Sequence, residues 1–201
     1  MDAHGCMRRL EEAGILAFAT VDGNGSPQVR NISAIHYEPD AMYFFTARGK
    51  GFCRELMDDG RFQALGYTSR KEMIRISGRA TPAEDQERWM SVIFDEQPYL
   101  SNVYPGETRD IGIVFEVRSA TLEYFNLGVR PIDRGTYGIG GAVTKDKGFV
   151  ISDGCTGCGT CARGCPQGAI VPGRPYRIDQ SHCLHCGRCA ENCPSMSIGR
   201  L

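Results

Sequence analysis

The chain has no uninterrupted apolar run of about 18 residues, so no membrane-spanning helix is expected. Its opening stretch, MDAHGCMRRLEEAG, lacks the basic-then-apolar layout of a secretory leader, and a cytoplasmic location is the expectation. No G-x-G-x-x-G follows a strand-like run and no G-x-x-x-x-G-K-[ST] occurs, which argues against a Rossmann dinucleotide site and a P-loop. Charge of one sign is also scarce, with a formal net charge of −1 over 201 residues. The small imbalance is local: residues 1–143 carry 16 basic and 20 acidic side chains, and residues 144–201 carry 7 and 4. Seven scattered basic groups are a poor footprint for nucleic acid, and no such partner is expected.

Cysteine, by contrast, is plentiful. Eight of the ten cysteines fall in the last 47 residues, in two runs, CTGCGTCARGCP from Cys155 and CLHCGRCAENCP from Cys183. Each run is C-x2-C-x2-C-x3-C closed by proline, and the second repeats the first at an offset of 28. A reducing compartment argues against disulfides, and structural zinc uses paired C-x2-C units rather than three cysteines at two-residue gaps. The spacing is the bacterial iron–sulfur pattern, in which the fourth cysteine serves the other cluster. Over about 55 residues the chain resembles the bacterial-type two-[4Fe-4S] ferredoxins. That resemblance implies crossed ligands, with Cys155, Cys158, Cys161 and Cys193 on one cluster and Cys183, Cys186, Cys189 and Cys165 on the other. The clusters would staple a domain too small for much core of its own. Gly157, Gly159, Gly164 and Gly187 would let backbone N–H groups approach the sulfurs. His182 and His185 read as neighbours of the ligands, since all eight cysteine places are filled. Cys6 and Cys53 stand outside the pattern and read as small core residues.

The remaining residues fall into three parts, with residues 1–126 a first domain, 127–147 a glycine-rich connector and 148–201 the cysteine domain. In the first part, a helix ending at Gly14 precedes ILAFATV and QVRNISAIHYE, two strands joined by the DGNGSP turn. AMYFFTA is a third strand. KGFCRELMDD is a short helix with Phe52, Leu56 and Met57 inward. RFQALGYT and KEMIRISGRATP are strands, AEDQERWMSVIFDE a helix with Trp89, Val92 and Ile93 on one face, and DIGIVFEVRSATLEYF a long closing strand. About six strands joined mostly by tight turns, with three helices, suit an antiparallel barrel rather than a doubly wound parallel sheet.

Iron–sulfur clusters pass single electrons, so a fused domain is expected to hold a redox partner. The stretch QVRNISAIHYEPDAMYFFTARGKGFCREL puts Arg30 on a strand, Thr46 at the end of the next and Lys50 at a helix start. A helix N-terminus, an arginine fork and a lysine suit a phosphate; each cation alone reads as a solvated surface charge, and it is their combination with the strand order and the fused cysteine domain that favours the phosphate. From about residue 10 to 126 the order of VRNIS, YFFTARGK, REL and RISGRA resembles the FMN-binding split-barrel family related to pyridoxamine 5′-phosphate oxidase. The resemblance implies a mainly β, α+β fold: an antiparallel split β-barrel with flanking helices, followed by the ferredoxin-like domain. It implies that Arg30 and Lys50 bind the FMN phosphate, that Asn31, Ile32 and Ser33 line the flavin, and that Phe45 and Thr46 meet the ribityl-phosphate. The family forms homodimers with FMN near the interface, so Arg75 is expected to serve the partner's site. The arginine-rich C-terminal segment with which those oxidases grip their substrate is replaced here by YFNLGVRPIDRG and the cysteine domain. The expectation is an iron–sulfur flavoprotein oxidoreductase in anaerobic electron traffic, acting on a small molecule or redox carrier. A non-catalytic relay or redox sensor is the alternative, and a haem-binding barrel with His36 as a candidate ligand is a third. Tyr124 and His36 are candidate proton donors as well as candidate packing residues.

Overall fold

A computed structural model describes all 201 residues. The chain divides into two compact units: the first holds 1–69, 73–123 and 137–143, the second 70–72, 124–136 and 144–201. No helix is long and apolar enough to cross a membrane.

The first unit opens with α1 (Ala3–Ala13), capped by Asp2, whose carboxylate accepts the Gly5 N–H at 2.6 Å. Gly14 ends the helix at φ 70°, the left-handed corner that glycine takes without a Cβ clash. β1 (Leu16–Val21) and β2 (Pro27–Ile32) form a hairpin whose register sets Phe18 opposite Arg30. The run QVRNISAIHYE, read as one strand, then breaks. Ile35 N–H turns back to Ser33 O at 2.9 Å, and Ala34 O accepts Phe45 N–H, so β3 (Ile35–Glu38) enters a different sheet. β4 (Ala41–Ala47) is buried along its whole length. α2 (Gly51–Asp58) follows, burying Phe52, Cys53 and Leu56. Met57 was expected inward and is instead 56% exposed, because a position directly after Leu56 lies about 100° around the helix.

β5 (Arg61–Tyr67), β6 (Glu72–Arg79) and the short β7 (Thr81–Pro82) come next. α3 (Gln86–Glu96) is capped by Asp85 and buries Trp89, Ile93 and Phe94, with Val92 half-buried at the rim. α4 (Leu100–Val103) and a 3-10 turn at Gly106–Ile111 lead into β8 (Gly112–Val117). The expected long closing strand is two strands in two sheets: β8 ends at Val117, and β9 (Ala120–Asn126) starts after the Arg118–Ser119 corner. The stretch read as a connector contains a further strand, β10 (Asp133–Ile139).

The sheets run β10-β9-β6-β5-β1-β2 and β3-β4-β8-β7, and β1–β2, β1–β5, β5–β6, β3–β4, β4–β8 and β7–β8 are antiparallel. Aromatic side chains close them on each other. Phe18 of β1 meets Phe44 of β4 at 4.9 Å and Phe62 of β5 at 4.8 Å, and Phe44 stacks on Phe115 of β8 at 5.7 Å. Offset and edge contacts of this kind add to the burial of large apolar rings.

In the second unit, β11 (Phe149–Ile151) pairs with β14 (Ile198–Arg200), and β12 (Ile170–Val171) with β13 (Arg177–Ile178). Two short helices, α5 (Thr160–Gly164) and α6 (Arg188–Glu191), start after Gly159 at φ 73° and Gly187 at φ 82°. These glycines sit at the same place in each half of the repeat, where the chain turns sharply between the second and third cysteines. The core is three buried residues, Ile151, Cys161 and Ile170, with Cys155, Cys165 and Cys189 packed against them. Thiols fill much of the space that aliphatic side chains would take in a larger domain.

Candidate functional site

All eight cysteines of the repeat are free thiols. They sort into two cavities. One is lined by Cys155, Cys158, Cys161 and Cys193 with Ile151, Tyr176 and Ile198. The other is lined by Cys165, Cys183, Cys186 and Cys189 with Phe149, Ile170 and Leu184. Each therefore takes three thiols from one half of the repeat and the fourth from the other half. No three His, Cys, Asp or Glu side chains converge tightly enough for a single metal ion. Four thiols around a common cavity, too spread to close on one ion, suit a cluster of several metal atoms better than tetrahedral zinc.

Hydrogen bonds already point at the sulfurs. Ala169 N–H donates to Cys165 Sγ at 3.3 Å, Ser197 N–H to Cys193 Sγ at 3.4 Å, and His185 N–H to Cys183 Sγ at 3.4 Å. The sequence reading assigned this task to glycines and missed Ala169 and Ser197. The available signal was the offset of 28, which relates Ala169 to Ser197 as it relates Cys165 to Cys193. The Cys158 thiol is lowered, chiefly by the Thr160 hydroxyl, and Cys193 chiefly by the Ser195 hydroxyl. Burial raises Cys161, Cys183 and Cys189. His182 Nδ1 lies 2.8 Å from Ile132 O, and Arg134 donates to Cys183 O at 3.1 Å.

In the first unit, Arg30 projects from β2 toward α2. Its Nη2 donates to Glu55 Oε2 at 2.8 Å, its Nη1 bonds Thr20 Oγ1, and its guanidinium lies 4.6 Å from the Phe52 ring centre. Thr20 Oγ1 in turn bonds Glu55 Oε2. Neither Thr20 nor Glu55 was singled out from sequence, since nothing local ties a helix carboxylate to a strand 25 residues earlier. Lys50 is exposed at the N-cap of α2, with no side-chain cap bond. The first N–H groups of α2 have no intrahelical acceptor, and a Cβ built on Gly49 would meet nothing within 4 Å. Such donors are of the kind that suit a phosphate, and the Arg30 guanidinium already engages Glu55.

The other expected residues scatter. Asn31 is exposed and Ile32 half-buried; Ser33 Oγ is 2.7 Å from Tyr99 Oη. Phe45 and Thr46 are buried, Phe45 against Phe94 at 5.3 Å and Tyr104 at 5.1 Å. Arg75 pairs with Glu123 at 2.9 Å on β6. Two strands stand between β6 and β2, so Arg75 and Arg30 are about 14 Å apart across the sheet. Cavities of about 590 Å³, at Arg48, Gln86, Met90 and Arg109, and of about 540 Å³, at Thr20, Arg61, Gln63 and Ser77, include none of the eight residues expected at the flavin. His36 Nδ1 is held 2.9 Å from Glu96, and its ring lies 5.5 Å from Trp89. Tyr124 is buried, which raises its phenol, and it donates to Glu72 at 3.2 Å. Cys53 is likewise buried and its thiol raised.

A family model described as pyridoxamine 5′-phosphate oxidase matches residues 5–112, more than half of the chain. The chain belongs to that family. A model for a 4Fe-4S dicluster domain matches residues 154–197. A pyridoxine/pyridoxamine 5′-phosphate oxidase from Bradyrhizobium sp. is 30% identical over 79 residues, 39% of this chain and 37% of the relative, so the match spans little more than a third of that relative. A NimC/NimA family protein from Clostridium acetobutylicum has a similar fold, with a TM-score of 0.58 at 17% identity over 68% of this chain and 93% of that one. A haem-binding protein from Mycobacterium smegmatis gives a TM-score of 0.54 at 14% identity over 68% and 58%. The antiparallel sheets of the first unit are thus the family's split barrel. Joined to the dicluster domain, this family barrel makes the chain an iron–sulfur flavoprotein with a redox role.

Proposed function

We propose that the chain is an oxidoreductase that passes electrons between FMN, two [4Fe-4S] clusters and a small molecule or redox carrier. FMN supplies two-electron chemistry and the clusters single-electron transfer when bound. The observation that carries this reading is the sorting of eight thiols into two cavities, each completed by the opposite half of the repeat. Cys155, Cys158, Cys161 and Cys193 hold one cluster; Cys183, Cys186, Cys189 and Cys165 hold the other.

Lys50, the free N–H groups of α2 and Arg30 bind the FMN phosphate. Asn31, Ile32 and Ser33 line the ring system, Thr46 closes the phosphate end, and Phe45 backs it from the core. Arg75, three strands from Arg30, serves the site of a second copy in a homodimer. Residues 1–126 form the flavin domain, 127–147 the connector and 148–201 the cluster domain.

The sequence argues against a vitamin phosphate as substrate, because YFNLGVRPIDRG and the cluster domain follow the barrel where the oxidases have their arginine-rich grip. Anaerobic assays with reduced ferredoxin or NAD(P)H as donor, and a flavin, quinone or nitro compound as acceptor, test for turnover. Sustained turnover supports an enzyme; a fully loaded protein that fails with every pair is a relay or sensor.

A further inference from the structure

We propose that Thr160 and Ser195 set the reduction potential of one cluster, the one held by Cys155, Cys158, Cys161 and Cys193, apart from that of the other. This rests on the crossed ligand assignment above. Thr160 Oγ1 lies 3.5 Å from Cys158 Sγ, and Ser195 Oγ lies 3.5 Å from Cys193 Sγ. As a thiol, Cys158 donates to Thr160 Oγ1, and the Cys193–Ser195 pair can run either way; a ligating thiolate has no proton to give, so on a bound cluster the hydroxyl would be the donor in both pairs.

The surroundings of Thr160 leave its proton for a bound thiolate. Arg163 Nη2 donates to Thr160 Oγ1 at 3.3 Å and Arg163 Nη1 to Cys158 O at 3.1 Å. The guanidinium occupies an acceptor site of the threonine oxygen and leaves its O–H for the sulfur. Ser197 Oγ stands 3.0 Å from Ser195 Oγ and donates its own proton to Ser195 O at 3.2 Å. Ser197, 6% exposed, also gives its N–H to Cys193 Sγ.

The second site has no counterpart. At the offset of 28, Thr160 is replaced by Arg188 and Ser195 by Gln167. Gln167 is engaged elsewhere, its Oε1 accepting the Ile132 N–H at 2.9 Å. Donors to sulfur there include the backbone N–H groups of Ala169 and His185, the first matched by Ser197 in the other site. Arg188 lines the cavity and Arg134 reaches Cys183 O, so the second site has cations near it but no hydroxyl on a sulfur.

The redox step is a one-electron gain supplied by the flavin or an external carrier, with no bond formed or broken. Added charge resides partly on the sulfurs, and hydrogen bonds to sulfur favour the more negative state. Thr160 and Ser195 therefore raise the potential of their own cluster.

The test is an anaerobic redox titration of the full-length holoprotein, followed by electron paramagnetic resonance, with iron content confirming that both clusters are loaded. The combined T160V and S195A change should lower one of two one-electron waves by about tenfold in its reduction equilibrium, about 59 mV, and leave the other in place. T160S should restore the wild-type position when Ser195 is intact. No movement of either wave, or equal movement of both, overturns the proposal. Cys165→Ser should abolish the wave that the hydroxyl variants leave alone. If it abolishes the wave they move, the crossed ligand assignment fails instead.

Discussion

Arg30 Nη2 stands 2.8 Å from Glu55 Oε2, and the same carboxylate oxygen bonds Thr20 Oγ1. The pair is only partly exposed, at 23% and 10% of the side chains. This ties strand β2 to helix α2 and fixes the Arg30 guanidinium against Phe52 and Glu55 of that helix. It also places a negative charge beside the proposed phosphate site.

Glu55→Gln should therefore tighten FMN binding. The amide keeps a hydrogen bond to Arg30 while removing repulsion of the phosphate. With water-like screening at about 4 Å this is worth about 1 kcal/mol, roughly fivefold in Kd. Calorimetric titration of flavin-depleted protein checks it; unchanged or weaker binding would mean that the phosphate lies elsewhere.

Arg30→Ala combined with Lys50→Ala should strip FMN and leave about eight iron atoms per chain. Flavin and iron quantitation after anaerobic purification reads both numbers. Retention of FMN with normal iron would move the phosphate away from α2.

Cys165→Ser should damage the cluster of Cys183, Cys186 and Cys189 and spare that of Cys155, Cys158 and Cys161. Mössbauer or paramagnetic resonance spectra, compared with those of Cys186→Ser, decide this. The two variants should lose the same signal, since both thiols line one cavity.

Phe18→Ala should cost about 3–5 kcal/mol in stability. The ring is fully buried and touches Phe44, Phe52 and Phe62 at 4.9, 5.5 and 4.8 Å, so its loss opens a cavity between the two sheets. Denaturant unfolding, monitored in the first unit through the single tryptophan, Trp89, measures the change.

The cysteine pattern was legible because ligand spacing is a local property written twice in the chain. The strands were legible where turn residues marked their ends, as at Asp22–Gly25. They were not legible at Ser33–Ala34 or Arg118–Ser119, where no glycine or proline marks the crossing between sheets. There the break comes from pairing partners distant in sequence, such as Phe45 N–H on Ala34 O. The Arg30–Glu55 pair was hidden for the same reason. It depends on how α2 packs over β1 and β2, and an amphipathic helix does not reveal which strand lies under it. Phe45 entered through the family resemblance rather than through pattern, because β4 is buried on both faces and a strand without alternation does not say which face meets a ligand.

The central claim is that a flavin in the barrel and two clusters in the cysteine domain exchange electrons. Anaerobic reductive titration of the purified protein, with optical and paramagnetic resonance readout, tests it most directly. The account predicts uptake of about four electrons per chain, two by FMN and one by each cluster, with electrons redistributing between flavin and clusters after each addition. A haem spectrum in place of flavin, or clusters that fill while the flavin stays oxidised however long the sample equilibrates with a donor able to reduce it, would contradict it.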